Sequence, residues 1–228
     1  MNNISISKCV NGAWDLTTKN WIMCIIVLVA TILVSFISSS TTQTVVYDST
    51  NMTPEEALAV LKSTLTASFG VATLVAYIVQ YAIYAGLFKM AINGYHGLKV
   101  DTTAYQMPFA TYVKFIGACI VYGILVGIGC LFCIIPGIFL AVRLMFATII
   151  LLDEPETEFI DAFKKSWAMT SGNFWSLFGL GVMVFLINLA GLLCCCIGII
   201  FTAVMSMFMA VIAYYMLKNT PDTEEVMA

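Results

Sequence analysis

Charge is scarce in this sequence, and histidine and proline are scarcer still. Only 10% of the 228 residues are charged and 61% are hydrophobic, whereas a soluble domain carries about 25% charged residues. One soluble core of this length cannot hide so much apolar surface, so a soluble globular fold is excluded. The ten cations are scattered and form no basic stripe, which argues against a nucleic-acid partner. His96 is the single histidine, which excludes histidine-cluster metal sites and leaves a histidine-based triad implausible. No glycine-rich phosphate loop precedes a helix, and the alternating segments of an outer-membrane barrel are missing. An enzyme is not expected, and neither are a catalytic residue, a cofactor or a resident metal.

What the sequence has instead is long uncharged runs. Between Lys165 and Lys218 lie 52 consecutive uncharged residues. As one helix they would far exceed the hydrocarbon layer, about 30 Å thick, so the segment must fold back. Lipid offers no partners to exposed backbone, so the spans are expected to be helices. The expected fold class is all-α: a polytopic membrane bundle of six transmembrane helices in three hairpins, with interfacial amphipathic helices, forming a single domain over residues 1–228. No cleavable leader is read, because the first apolar run begins only at Trp21 and no convincing cleavage pattern follows.

Hairpin one covers about residues 21–88. Its first span runs Trp21 to Ile37, followed by a polar loop with a brief β-like Val45-Val46-Tyr47. Thr53-Pro54-Glu55-Glu56 reads as a helix start, with a threonine cap and proline at the first helical position. It leads through Leu58, Leu61 and Leu65 into span two, Phe69 to Phe88. Hairpin two covers about 115–152, with Pro136-Gly137 marking its tight turn. Hairpin three covers about 174–217. Between them, residues 156–170 form an amphipathic segment. Phe159, Ile160, Phe163 and Trp167 share one face; Glu158, Asp161, Lys164 and Lys165 share the other. Pro155 fits its first turn, Gly172 its stop, and Asn173 a cap for the next span. The lysines favour cytoplasmic N- and C-termini: Lys8, Lys19, Lys89, Lys99, Lys114, Lys164, Lys165 and Lys218 fall on one side, Lys62 on the other.

Two echoes run through the chain. Trp14, Thr17 and Asn20, followed by Trp21, match Trp167, Thr170 and Asn173, followed by Phe174. Residues 138–146 and 200–208 match at six of nine positions at an offset of 62, which also pairs Gly117 with Gly179, Gly129 with Gly191 and Cys133 with Cys195. Together they imply one unit, an entry segment plus a hairpin, used repeatedly. The stretch Ile134 to Phe146 (IIPGIFLAVRLMF), the acidic turn Asp153-Glu154-Pro155, and Asp161 to Trp175 (DAFKKSWAMTSGNFW) resemble a broad family of uncharacterised bacterial membrane proteins. That family includes the membrane domain joined to some glycerophosphodiester phosphodiesterases. The similarity covers roughly residues 110–217 and implies a six-helix bundle in a cell inner membrane. It supplies no catalytic residues, and the hydrolase domain of the joined proteins is absent here.

The candidate intramembrane polar site centres on Arg143, ten residues before Asp153 in a span without carboxylates. An arginine there costs from about 3 to more than 10 kcal/mol, so it should face the interior or water. Candidate partners are Gln80 and Tyr81 on span two, with Tyr77 and Tyr84, and Asn188 on span five. A structural arginine bridging helices is weighed against an anion or lipid-phosphate site. Cys130, Cys133, Cys194, Cys195 and Cys196 fall at two hairpin tips, where thiolate metal or redox chemistry is weighed against apolar packing; the apolar surroundings favour packing. Gly123-x-x-x-Gly127 is expected to allow close helix approach. The lipid bilayer is the expected partner, and a homo-oligomer stays open. The expected function is a non-enzymatic scaffold or accessory in envelope or lipid homeostasis. The alternative is a small transporter or channel component with an anion or lipid-headgroup path at Arg143.

Overall fold

The computed structural model describes residues 5–22, 25–26, 29, 53, 55, 57–59, 62, 71–98, 102–193 and 196–219. Among these the fold is all-helical. The elements are α1 (Ile6–Lys19), α2 (Val71–Tyr95), a 3-10 turn (Thr102–Tyr105), α3 (Phe109–Phe132), α4 (Ile134–Leu144), α5 (Ala147–Asp153), α6 (Phe159–Thr170), α7 (Phe174–Leu193) and α8 (Cys196–Lys218). The chain divides into two units. One joins Met1–Val27 to Ala85–Ala228, and the other is Leu28–Tyr84. In the second unit the amide of Ala57 donates to Thr53 O (3.0 Å), the first turn expected after Thr53. Most of span one, the loop after it and Val45-Val46-Tyr47 lie outside the described residues, as do Leu61, Leu65 and Lys99.

Among the described residues four helices are long and apolar enough to cross a membrane: α3, the α4–α5 pair taken as Ile134–Asp153, α7, and Phe201–Lys218 of α8. Hairpin three matches the expected limits closely. Hairpin two differs in three ways. Its first helix starts at Phe109, behind Pro108, rather than at Phe115. Its tight turn is the extended Cys133 (φ −170°, ψ 150°), and Pro136-Gly137 instead lie in the first turn of α4. Proline is tolerated there because the first-turn amides have no intrahelical acceptor to lose. The expected fourth span is also broken, with Met145 and Phe146 separating α4 from α5.

The two legs of each hairpin are buried to different extents. In α3 and α7 only 17% of the spanning window is buried, against 44% for α4–α5 and 67% for α8. The second leg is therefore the inner one. Residues 149–152 of α5 are buried on every side, together with Phe146, Phe208, Met209, Val211, Tyr214, Leu177 and Leu180. The outer legs turn Val113, Ile120, Ile124, Ile128, Phe185 and Leu189 outward. Apolar side chains facing outward along whole helices suit lipid and would be unstable in water.

Glycine sets the approach of the two legs. A Cβ on Gly129 would sit 3.0 Å from Gly137 Cα and from the Leu140 side chain; one on Gly191 would sit 2.6 Å from Thr202 Oγ1 and 3.0 Å from Gly198 O. Leu140 and Thr202 are related by the same 62-residue offset as the two glycines, so both hairpins close the same way. Gly123 and Gly127 behave differently from expectation: nothing lies within 4 Å of a Cβ on either, so they mediate no close approach within the described residues. Gly191→Ala should therefore cost about 1–3 kcal/mol through overpacking, and Gly123→Ala should change stability by less than about 0.5 kcal/mol. Unfolding of the purified protein from mild detergent checks both.

Candidate functional site

Two entry helices and the inner legs beside them reproduce one packing arrangement. Helix α1 runs antiparallel to α8: Cys9 Sγ meets Met216 Sδ at 3.7 Å, a Cβ on Gly12 would meet Ile212, and Trp14 packs edge-on against Phe201 at 5.3 Å. Helix α6 runs back along α5 and α4 in the same sense. Lys165 pairs with Glu154, Ser166 reaches Arg143 O, and Trp167 packs edge-on against Phe139 at 5.8 Å. Trp14 corresponds to Trp167 and Phe201 to Phe139, so the two sequence echoes pair with each other in space. The packed stripes are Cys9, Ala13 and Thr17 in one helix and Ala162, Ser166 and Thr170 in the other, all with no solvent exposure. Small residues four apart let a helix lie close against its neighbour.

The aromatic face expected on α6 is only partly covered, since Trp167 packs on Phe139 yet keeps much of its surface open. Ile160 and Trp167 are exposed, as is Trp175 at 78%. Exposed tryptophans flanking apolar spans suit headgroup depth in a bilayer. The helix itself begins later than expected: Pro155 lies in the preceding turn and Phe159 is the first helical residue. Gly172 adopts φ +81°, the left-handed stop that a glycine allows without strain. The Asn173 carbonyl accepts the Leu177 amide as α7 starts, while Asn20 closes α1 by donating its side-chain amide to Leu16 O at 2.9 Å.

Arg143 sits at the last turn of α4, beside the break. A helix end frees carbonyls that lipid cannot satisfy. Here the Arg143 carbonyl accepts the Ser166 hydroxyl (2.9 Å), with Thr170 Oγ1 3.3 Å away but bonded more closely to Ser166 O of its own helix (2.9 Å). In the matching pair, α8 is unbroken, Ala13 stands in place of Ser166, and Thr17 bonds its own helix at Ala13 O. The serine thus accompanies the break. The guanidinium lies in the corner between Phe139 and Trp167, whose rings stand at 78°, with its carbon 5.1 Å from each centroid. One Nη donates to Trp167 O at 3.4 Å, and Nε is buried with no partner among the described residues.

Asn188, the proposed member in the same unit as Arg143, is committed elsewhere. The Asn188 side-chain amide donates to Val184 O and to Ser206 Oγ, both at 2.8 Å, tying α7 to α8. Gln80 and Tyr81, both half-buried, belong to the Leu28–Tyr84 unit, as do Tyr77 and Tyr84. Cys130 and Cys133 are free thiols. Cys194 and Cys195 lie outside the described residues, and so does the side chain of Cys196. Among the described residues no group of three or more His, Cys, Asp or Glu is placed to hold a metal.

A second polar centre was not anticipated. The segment from Leu152 to Thr157 receives lysines from four helices. Lys89 of α2 donates to Leu152 O (2.9 Å), and Lys114 of α3 to Pro155 O (2.7 Å) and Thr157 O (3.2 Å). Lys218 of α8 bridges Asp153 (2.6 Å) and Glu154 (2.7 Å), and Lys165 of α6 reaches Glu154 at 3.1 Å. Tyr214 and Tyr215 donate to the two oxygens of Asp153, at 3.1 and 2.6 Å. Since the Tyr215 hydroxyl gives its proton to Asp153, His96 Nε2, 2.9 Å away, is the donor to that hydroxyl. Tyr95 stacks on Tyr215 at 4.5 Å. The sequence signal was present as Asp153-Glu154 ending one inner leg and Tyr-Tyr-x-x-Lys ending the other. Reading the lysines only for orientation missed it.

A helical bundle with lipid-compatible outer faces and four lysines gathered at one turn defines an α-helical membrane protein. Within that class, the chain belongs to the family of the domain of unknown function DUF7847, whose model matches residues 64–224. No curated protein and no solved structure matches the chain.

Two outcomes follow from these contacts. Burial alone would raise the Glu154 carboxyl, but hydrogen bonds from Lys218 and Lys165 outweigh it and hold the group below its ordinary value. A depressed carboxylate contributes stability that is full above the unfolded value, about 4.3, and is lost as the pH falls through the lower folded value. Melting temperature should therefore drop below about pH 4, and Glu154→Gln should flatten that limb. Ser166→Ala should cost about 0.5–1.5 kcal/mol by removing a hydrogen bond at the helix break. Thr17→Val, whose hydroxyl serves only its own helix, should cost less; chemical unfolding of both variants compares them.

Proposed function

We propose that this protein is a non-enzymatic scaffold or accessory of an envelope membrane, built from six spans in three hairpins with both termini in the cytoplasm. The observation that carries the functional reading is how the polar groups inside the hairpins are spent. Asn188 bonds Val184 O and Ser206, Ser206 donates to Thr202 O, and Tyr122 donates to Ala141 O. The inner legs are packed with apolar side chains. A conduit needs a continuous polar path, and polar groups committed to neighbouring backbone and hydroxyls do not offer one.

The six-span reading joins the four apolar helices to α2, a fifth at 25 residues, and to the apolar run 21–37, which rests on sequence. The cytoplasmic orientation is supported by the convergence of Lys89, Lys114, Lys165 and Lys218 on one turn, because cytoplasmic ends of spans are enriched in lysine. Inner-membrane placement follows from the resemblance to bacterial bundles. The second reading, an anion or lipid-headgroup path, rests on Arg143.

Proteoliposomes holding the purified chain decide between them. The scaffold reading expects anion and lipid-headgroup flux no greater than in protein-free vesicles. Flux that is saturable and lost in Arg143→Gln would replace it with the conduit.

A further inference from the structure

Arg143 occupies an aromatic corner between Phe139 and Trp167. Arg143 is the single arginine of the chain. Among the described residues it has no carboxylate within ion-pair distance: the ion pairs engage Asp153, Glu154 and Asp161 with lysines. Among the described residues its Nε is buried and unpartnered, and its one bond to protein, at 3.4 Å to Trp167 O, lies at the surface. The two rings forming the corner are themselves partly open, Trp167 at 42% and Phe139 at 36%; Ile138, beside Phe139 in sequence, and Trp175, next to the Phe174 that packs on Phe139, are exposed as well.

A guanidinium held against aromatic rings keeps its charge and its planar fork of donors. An unpaired charge facing an apolar medium is costly, and the surroundings stabilise it best by supplying an anion. The anion that fits a flat, multi-donor fork is an oxyanion that accepts two parallel hydrogen bonds, a phosphate above all. Exposed tryptophans place such a group where headgroups lie. We propose that Arg143, set by Phe139 and Trp167, binds a phosphate oxyanion at the lipid-facing surface of the protein. The break between α4 and α5 and the Ser166 hydroxyl on the Arg143 carbonyl hold the residue there. This deepens the lipid-homeostasis side of the reading above and rests on the chain being membrane-embedded.

Because the chain has one arginine, an arginine-directed dicarbonyl such as phenylglyoxal reports on this site alone. The full chain is labelled in a phosphate-free maltoside detergent, and modification of Arg143 is followed by mass. Parallel samples contain phosphatidylglycerol, a phosphate-free diacylglycerol, or millimolar inorganic phosphate. Removing hydrogen bonds to a charged group corresponds to roughly a tenfold to hundredfold change in an equilibrium. Phosphatidylglycerol should therefore slow labelling at least about tenfold, and diacylglycerol should not. Protection by the phospholipid alone assigns a lipid phosphodiester; protection by inorganic phosphate as well assigns a free anion, and either supports the site. Equal labelling rates in all samples, or equal protection by diacylglycerol, would overturn it. Alkaline carbonate extraction of membranes separates the two claims. A chain that stays in the pellet but shows no protection loses the phosphate site alone, whereas a chain that washes off loses the membrane reading too.

Discussion

The turn from Asp153 to Thr157 is the constraint on which the rest of the main unit depends. Lys114, Lys165 and Lys218 commit to it from three helices, Lys89 of a fourth binds Leu152 O just before it, and two tyrosines complete the donors to Asp153. Lysine ends are mobile and well hydrated, so single exposed pairs stabilise little. Here the charges are partly buried and share acceptors, with Asp153 exposed at only 13% of its side chain. Shared, desolvated acceptors couple the ends of α2, α3, α6 and α8, so that moving one disturbs the others. In lipid, where apolar contact between helices has no hydrophobic drive, such polar clasps and close small-residue packing are what hold a bundle together.

From that end, each inner leg is covered by an entry helix carrying a stripe of small residues, and each outer leg faces lipid. The repeat explains the placement of the broken helix. Where α8 continues, Met205 and Ala13 occupy positions held in the other pair by Arg143 and Ser166. Where the inner leg breaks, an arginine and a hydroxyl appear together. Stability and the candidate ligand site therefore sit on the same kink.

Much of the fold was legible in the sequence. Long uncharged runs located the four apolar helices, and the outer limits of α7 and α8 were nearly those expected, because Gly172-Asn173 and Lys218 interrupt the apolar sequence there. Pro136-Gly137 misled, since proline marks a turn or a helix start with equal ease and Cys133 carries no turn signal. The break at Met145-Phe146 was invisible: neither residue is a helix breaker such as Gly or Pro, and Phe146 is fully buried at the break. The entry motif was found as a pattern, but its pairing with Phe139 and Phe201 is a long-range contact that periodicity does not encode. For the same reason Asp153-Glu154 read as a loop signal and Lys218 as an orientation signal, although they meet.

The most direct test of the clasp is a double-mutant cycle between Asp153→Asn and Lys218→Met, read by unfolding from detergent micelles. The account predicts that the double variant is less destabilised than the sum of the singles, with a coupling of at least about 1 kcal/mol. Strict additivity, with each single variant costing little, would contradict it.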